Sequence, residues 1–307
     1  MSRRTMAIWV FIAVTASFAA AADNKQIPAK LTAAEIADRN VQARGGLSAW
    51  RAVQALTMSG KMDAGGNNRP TLPIPGKKSG AGMPQPRPAE QIQLPFSMEL
   101  KRPHKSRVEV VFKGQTAIQV FDGTNGWKLR PFLNRMEVEP YTADEMKTVA
   151  MQSELDGPIA DYAAKGTALE LVGMEKVEGH DAYNLKLTMK SGQVTHVWID
   201  ASTFLETKMD GAPRRLDGKD RPVEIYLRDY HPVNGLQIPY VIETRVHDPG
   251  IPGAIMPSSM TEKIIIDKVE VNPPLSDSRF FKAQLEATAS AKPTSVQTPT
   301  SASLAMR

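Results

Sequence analysis

Short segments of alternating apolar and polar residues, joined by brief links, follow one another through most of this chain. In the stretch MELKRPHKSRVEVVFKG, Met98 and Leu100 share one side of an extended chain, and Val108, Val110 and Phe112 share one side of the next. A strand that alternates in this way buries one face. Links as short as VEGH and KSGQ join antiparallel neighbours, because a parallel connection needs a long crossover. The pattern therefore predicts one long antiparallel meander.

Two helices interrupt the meander. The first has a capping box formed by Thr32 and Glu35 and ends at Gly45. The second repeats the capping box with Thr142 and Glu145. No βαβ pattern appears, which argues against a Rossmann or α/β-hydrolase enzyme. The predicted fold class is α+β, mainly β, with about ten to twelve strands in one sheet.

The predicted helices are too few to cover a flat sheet of this size. A helix with its side chains is about 10–12 Å wide, whereas ten strands at about 4.8 Å each would spread near 50 Å. We therefore expect a strongly curved, unclosed half-barrel lidded by helices. Such a sheet either packs solid or encloses a hydrophobic cavity. Fifteen methionines favour an adaptable cavity, and an ordinary filled core is the alternative.

Apolar residues that alternate along the strands are the candidate lining of this cavity. Where both faces of a strand are apolar, as in HVWI and KIIID, the pattern does not tell which one faces inward. We expect an apolar guest to contact these residues. The candidate cavity-lining residues are Met98, Leu100, Val108, Val110, Phe112, Ile118, Val120, Leu185, Leu187, Met189, Trp198, Ile225 and Leu227.

The N-terminal residues have the layout of a secretory signal peptide. Arg3 and Arg4 precede an apolar run from Met6 to Val14, and small residues continue to Ala22. We expect cleavage that removes residues 1–22; a retained anchor is the alternative, although the apolar run is short for a membrane span. The absence of cysteine excludes disulfides, thiol catalysis and a cysteine-borne lipid anchor. An exported chain without disulfides favours a bacterial periplasm.

Composition divides the remaining chain into four parts. Residues 23–31 form a linker, and residues 32–282 form the predicted domain. A Pro/Gly-rich insertion at 63–92 within that domain is predicted to be disordered. The tail, residues 283–307, is rich in Ser, Thr and Pro and cannot bury enough apolar area to offset its ordering entropy.

Motifs that would indicate an enzyme are missing from the sequence. There is no G-x-S-x-G elbow, no H-E-x-x-H and no P-loop, so we predict no catalytic residue, metal or cofactor. His196 lies alone in a strand, where a metal-ligand role is rare. The net charge of +5 fits ordinary solubility or attraction to anionic lipid head groups. No Lys/Arg block indicates nucleic-acid binding.

The order of these segments resembles the LolA/LolB-like periplasmic lipoprotein carriers, in particular the outer-membrane lipoprotein-sorting type. The resemblance rests on a helix ending in ARGGLSAWRAVQAL, on the strand LTMSGKM, and on the distinctive pieces DGTNGW and YLRDYHPVNGLQIPY. It covers the chain from about Ala33 to Phe281. The resemblance implies a curved antiparallel sheet whose concave face, lidded by helices, binds lipoprotein acyl chains. The insertion and the Ser/Thr/Pro tail depart from this pattern.

Three functions are compatible with this reading. The first is a periplasmic, non-catalytic carrier for lipid or lipoprotein acyl chains, with membrane-protein partners and peripheral membrane contact as further expectations. The second is a protein-interaction or envelope-stress sensing domain with a solid core. The third is a hydrolase whose site is assembled in space, which would need a cluster of histidines and carboxylates in one cleft.

Overall fold

The computed structural model describes residues 31–64, 92–131, 135–216, 218–247 and 261–290. Most of them lie in strands, as the alternating pattern predicts. The strands are β1 (Ala55–Ala64), β2 (Ile92–Lys101), β3 (Lys105–Phe112), β4 (Gln115–Phe121), β5 (Gly126–Arg130), β6 (Arg135–Pro140), β7 (Ala168–Val177), β8 (His180–Thr188), β9 (Val194–Asp200), β10 (Glu206–Leu216), β11 (Lys219–Val233), β12 (Leu236–Val246) and β13 (Glu262–Val271).

All of these strands belong to one antiparallel sheet. Its order is β6-β5-β4-β3-β2-β1-β13-β12-β11-β10-β9-β8-β7, so β6 and β7 are the two edges and the sheet is not closed. The predicted fold class, an unclosed antiparallel sheet with a few helices, is confirmed. The sheet has 13 strands rather than the expected ten to twelve. The strand missed in the sequence is β6, a short edge strand in which Met136, Val138 and Pro140 alternate with Arg135, Glu137 and Glu139.

Four helices accompany the sheet: α1 (Ala33–Ala43), α2 (Leu47–Ala52), α3 (Ala143–Gln152) and α4 (Lys282–Ser290). Both predicted capping boxes are present. Thr32 accepts from the Glu35 amide at the start of α1, and Thr142 accepts from the Glu145 amide at the start of α3. Each box satisfies two amide groups that a helix N-terminus would otherwise leave unpaired.

The sheet bends around α3. Along the chain this helix follows β6 and precedes β7, the two edge strands. The segment that contains it therefore connects one edge of the sheet to the other. Gln119 of β4 and Asp210 of β10 border the same cavity beside α3. Seven strand spacings separate β4 from β10 in the sheet order, about 34 Å if the sheet were flat. A helix about 10–12 Å wide can meet both strands only if the sheet curves toward it.

The strand register defines an inner face, which looks toward α3, and an outer face. Met98 lies opposite Met58, Ile264 opposite Ile242, and Ile242 opposite Leu227, so these residues share the inner face. At one end of the sheet the inner face is filled. There Trp50 of α2 packs against a cluster that includes Leu56, Leu100, Leu155, Leu236, Ile238 and Ile266.

Helices α1 and α2 close this end of the sheet. Gly45 follows α1 with a φ of 114°, and a Cβ at this position would lie 2.3 Å from the carbonyl oxygen of Gly235. The Asn40 amide donates to the Phe204 carbonyl oxygen at 2.8 Å. The helix pair is therefore held directly against the β11–β12 and β9–β10 turns.

The domain extends beyond the boundary that the sequence predicts. Residues 282–290 form α4, although the tail from residue 283 was expected to be disordered. Leu285 of α4 is fully buried with Phe280 against Ile118 and Leu129 on the outer face. One well-placed leucine anchors a segment whose composition otherwise indicates disorder. The structure likewise assigns Asp63, Ala64 and Ile92 to strands, which shortens the predicted insertion at both ends.

Several predictions fall on other parts of the chain. The signal peptide at 1–22, most of the linker at 23–31, the centre of the insertion and the tail beyond Ser290 lie outside the described residues.

Candidate functional site

A trough runs between α3 and the inner face of β9, β10, β11 and β12. It consists of two connected parts. The inner chamber, about 570 Å³, reaches toward the end of the sheet closed by α1 and α2. The outer chamber, about 1020 Å³, lies toward the opposite end. Met151, Gln193, Thr195 and Gly211 border both chambers, so a ligand can extend from one into the other.

The sheet wall of the inner chamber is apolar. Val197, Met209, Ile225 and Leu227 line it from three adjacent strands. The register explains why they form a continuous surface: Val197 lies opposite Met209, and Met209 lies opposite Ile225. Residues directly opposite each other in an antiparallel pair point to the same face. The helix side contributes Ala150 and Met151.

A buried polar group closes the deep end of the inner chamber. The Arg44 guanidinium lies 3.2 Å from the Glu206 carboxylate, and the two side chains are 11% and 8% exposed. Arg44 also donates to the Asp156 carbonyl oxygen at 2.8 Å and stacks over the Trp50 ring. The Tyr230 hydroxyl donates to the Glu206 carbonyl oxygen at 2.9 Å. Burial, with the Glu206 charge beside it, raises the pKa of Tyr230 well above its ordinary value, so the phenol stays neutral.

Asp156 fastens the segment after α3 to the rest of the domain. Its carboxylate accepts from Arg102 at 2.9 Å and from Lys165 at 2.6 Å. Burial acts to raise the pKa of Asp156, but the hydrogen bonds from Lys165 and Arg102 outweigh it and hold the pKa below its ordinary value. The charged aspartate therefore keeps its two cationic partners at neutral pH. These contacts hold the segment after α3 in place where it borders the inner chamber.

The outer chamber is more polar than the inner one. Its lining includes Asp144 and Lys147 of α3, Gln193 before β9, and Arg215 and Asp220 of the β10–β11 hairpin. The start of α3 is held to the sheet by Glu145, whose two carboxylate oxygens each lie 2.6 Å from the Lys128 ammonium. The lining of the trough thus becomes more polar from the inner chamber to the outer one.

The structure brings ten of the thirteen predicted lining residues to the inner face. Met189, Ile225 and Leu227 border the inner chamber directly. Leu185 and Leu187 are fully buried beneath it. The other five belong to the opposite arm of the same face, as Met98 opposite Val108 illustrates. They are Met98, Leu100, Val108, Val110 and Phe112.

Three predicted residues lie on the outer face. Ile118 and Val120 pack beneath Phe280 and Leu285. Trp198 packs against Tyr226 and Val177. In β9 both faces are apolar around Trp198, so the alternation did not tell which one faces the trough. In β4 the apolar residues Ile118 and Val120 alternate with Gln119, but Phe280 and Leu285 cover this apolar face, which is not the cavity wall.

Sequence reasoning missed the helical and polar walls of the trough. Val197 lies next to Trp198 on the opposite face of β9, and no residue of β10, the strand of Met209, was identified. Arg44, Glu206 and Tyr230 meet only in the folded chain, because they lie on α1's C-cap, β10 and β11. No local spacing signals that juxtaposition.

The described part of the chain contains no group of three or more His, Asp or Glu side chains placed to hold a metal ion. Histidines do meet carboxylates in pairs: His196 lies 2.8 Å from Asp210, and His247 lies 2.7 Å from Glu224. Both pairs belong to the outer-face parity of their strands. None of the helices in the described ranges is long and apolar enough to cross a membrane.

Comparison with known proteins yields matches in structure rather than in sequence. No protein-family model and no curated protein matches the chain. The chain is similar in structure to LolA superfamily proteins. A LolA superfamily protein from Nitrosomonas europaea is 13% identical, with a TM-score of 0.49, over 83% of this chain and 100% of that one.

Two other solved structures match over the same share of this chain. An outer membrane lipoprotein-sorting protein domain from Vibrio parahaemolyticus is 12% identical with a TM-score of 0.48, covering 83% of this chain and 98% of that one. A DUF1329 family protein from Desulfovibrio piger is 16% identical with a TM-score of 0.48, covering 83% and 100%. At these identities and TM-scores, the likeness establishes neither a ligand nor an activity.

Proposed function

We propose that the protein is a non-catalytic, periplasmic binding protein that carries a lipid or lipoprotein acyl chain in the inner chamber. The observation that carries this proposal is the apolar row of Val197, Met209, Ile225 and Leu227 beside about 570 Å³ of open space. Ligand pockets of about 300–1,000 Å³ with mainly apolar walls are typical of small-molecule sites. The signal-peptide pattern at the N-terminus supports export.

Energetics favour hydrocarbon as the occupant of the inner chamber. Each methylene removed from water contributes about 0.8 kcal/mol, so a chain that buries ten methylenes gains about 8 kcal/mol before ordering costs. Met209 and Met189 can repack around chains of different length or branching, because methionine is unbranched and flexible. The buried Arg44–Glu206 pair is already charge-balanced, so the deep end needs no ionic ligand.

Binding of a fluorescent fatty acid, with native mass spectrometry of the purified protein, tests the proposal. The Met209→Gln variant should weaken binding about 10-fold, because an acyl chain would leave the buried amide unpaired. Met174→Gln is the matched control, since Met174 lies on β7 with 56% of its surface exposed. Its affinity should equal that of the wild type.

Two results would overturn the proposal. One is the absence of both a co-purifying lipid mass and any binding of the probe. The other is that Met209→Gln binds the probe as tightly as the wild type does, while the two proteins unfold at the same temperature.

A further inference from the structure

The two ends of the sheet differ in the unpaired charge on their hairpin turns. At the end where the outer chamber lies, the turns carry Lys113, Lys190, Arg215 and Lys219, all of them exposed. Within the described residues, none of these four cations forms an ion pair. We call this end the mouth end. It is defined by the β3–β4, β8–β9 and β10–β11 hairpins.

At the closed end, the turns carry carboxylates. Asp122 lies in the β4–β5 turn, Glu178 in the β7–β8 turn and Asp200 in the β9–β10 turn. Glu178 is paired with Arg228, and Asp122 and Asp200 accept hydrogen bonds from their own turns. Arg102 of the closed-end β2–β3 turn is likewise paired, with Asp156. At the mouth end Asp220 of the β10–β11 hairpin offsets one of the four cations, so the described turns there keep an excess of three positive charges.

Two of the cations border the trough itself. Lys190 lines the inner chamber and Arg215 lines the outer chamber. Val194, which follows the β8–β9 turn, also lines the outer chamber and leaves 49% of its surface exposed. An apolar side chain beside exposed cations is the arrangement expected where a protein meets the head-group region of a bilayer.

We propose that the mouth end is a docking surface for an anionic phospholipid bilayer. Docking here turns the open trough toward the membrane and the closed end away from it. Basic side chains near an anionic bilayer gain attraction that falls off within a Debye length. This inference goes beyond acyl-chain binding and does not depend on it, because the turn cations act whether or not the inner chamber is occupied.

Vesicle co-sedimentation tests the docking surface. The full mature chain should bind vesicles containing phosphatidylglycerol more tightly than pure phosphatidylcholine, and high salt should weaken the binding. Each basic residue contributes a factor of about five in affinity. The triple variant K190Q/R215Q/K219Q should therefore bind anionic vesicles about 100-fold more weakly.

The matched control is the triple variant K176Q/K268Q/K282Q. It removes the same net charge, but Lys176, Lys268 and Lys282 are each paired with a carboxylate away from the mouth-end turns. Its vesicle affinity should stay within about twofold of the wild type, because paired cations offer little free charge. Equal weakening by the two triple variants would show that net charge alone matters and would overturn the proposal.

Two further results would also overturn the docking surface: equal binding to neutral and anionic vesicles, or binding to duplex DNA as tight as binding to the vesicles. The fluorescent fatty acid separates this inference from the carrier function. The double variant K113Q/K219Q, whose two lysines border neither chamber, should weaken vesicle binding about 25-fold and keep fatty-acid binding, whereas Met209→Gln should weaken fatty-acid binding and keep vesicle binding.

Discussion

The two arms of the curved sheet cover their outer faces in different ways. On the α4 arm, β4 to β6, the outer face is apolar, and Phe280 and Leu285 cover it. On the network arm, β8 to β12, aromatic rings on the outer face lie beneath charged side chains. The Lys208 ammonium is 3.8 Å from the Trp198 ring centre, and the Arg245 guanidinium is 4.1 Å from that of Tyr226.

The difference shows how one sheet can be apolar on both faces and still leave a cavity on only one of them. On the α4 arm, the segment that contains α4 covers the outer face and excludes water from it. On the other, the long stems of Lys208, Arg228 and Arg245 lie over the rings, while their charged ends pair with Glu224, Glu243 and Glu178. Both covers leave the inner face free to border the trough.

The largest effect is expected from removing Phe280, the aromatic side chain that anchors the α4 arm. Phe280 is fully buried, so Phe280→Ala should lower the free energy of unfolding by about 3–5 kcal/mol. Phe281→Ala is the neighbouring control, because Phe281 is 45% exposed and should cost under about 1 kcal/mol. Urea denaturation of both variants measures the difference. Equal costs would show that α4 does not seal this face.

The same substitution on the two faces distinguishes a filled core from a cavity wall. Ile118 is 1% exposed beneath α4, so Ile118→Ala should cost about 2–5 kcal/mol. Ile225 borders the inner chamber, so Ile225→Ala removes less packing and should cost about 1–2 kcal/mol. Denaturant titrations compare them. A larger cost for Ile225→Ala would indicate that the inner chamber is filled.

This pair of isoleucines also marks how far the sequence could predict the structure. Strand alternation, short links and capping boxes fix the antiparallel sheet and the starts of α1 and α3, because these signals are local. Whether an apolar residue faces α4 or the trough depends on where distant segments pack. Ile118 and Ile225 have the same local pattern, and only the burial of Leu285 on one face tells them apart.

The buried ion pair at the deep end of the inner chamber could not be predicted from the sequence for the same reason. Arg44 and Glu206 are 162 positions apart, a separation obtained from their numbers (206 − 44). The outer-face pairing of Glu224, Tyr226 and Arg228 could be predicted, because their alternation along one strand places them on one side. A periodic polar stripe is visible in sequence; a single buried ion pair is not.

The charged cover of the network arm should contribute less than the helical cover. Lys208→Met keeps an apolar stem but removes the cation over Trp198 and the 2.9 Å pair with Glu224. We expect a cost of about 1–2 kcal/mol, because Lys208 is only 13% exposed. Lys176→Met should cost under about 0.5 kcal/mol, since its pair with Asp181 is exposed. If chemical denaturation gives equal costs for Lys208→Met and Lys176→Met, the contact between Lys208 and the Trp198 ring adds no stability.

The smallest expected effect is the pH dependence of the ionic cover on the network arm. The hydrogen bond from Arg228, with the charges of Arg228 and Arg245, lowers the pKa of Glu178. A carboxyl group whose pKa is lower in the folded state stabilises the protein above its unfolded pKa, about 4.3, and that stabilisation disappears as the pH falls through the folded pKa. Glu178→Gln should therefore cost under about 1 kcal/mol at neutral pH, and the cost should shrink toward zero in acid.

Ile118→Ala provides the contrast for this pH dependence, because it removes apolar contacts and no charge, so its cost should be the same in acid and at neutral pH. Urea denaturation of the wild type and both variants at the two pH values gives the comparison. A cost of Glu178→Gln that persists in acid would mean that the side chain acts through packing rather than charge. The two outer faces would then be held by the same apolar contacts, and the distinction between a helical and an ionic cover would fail.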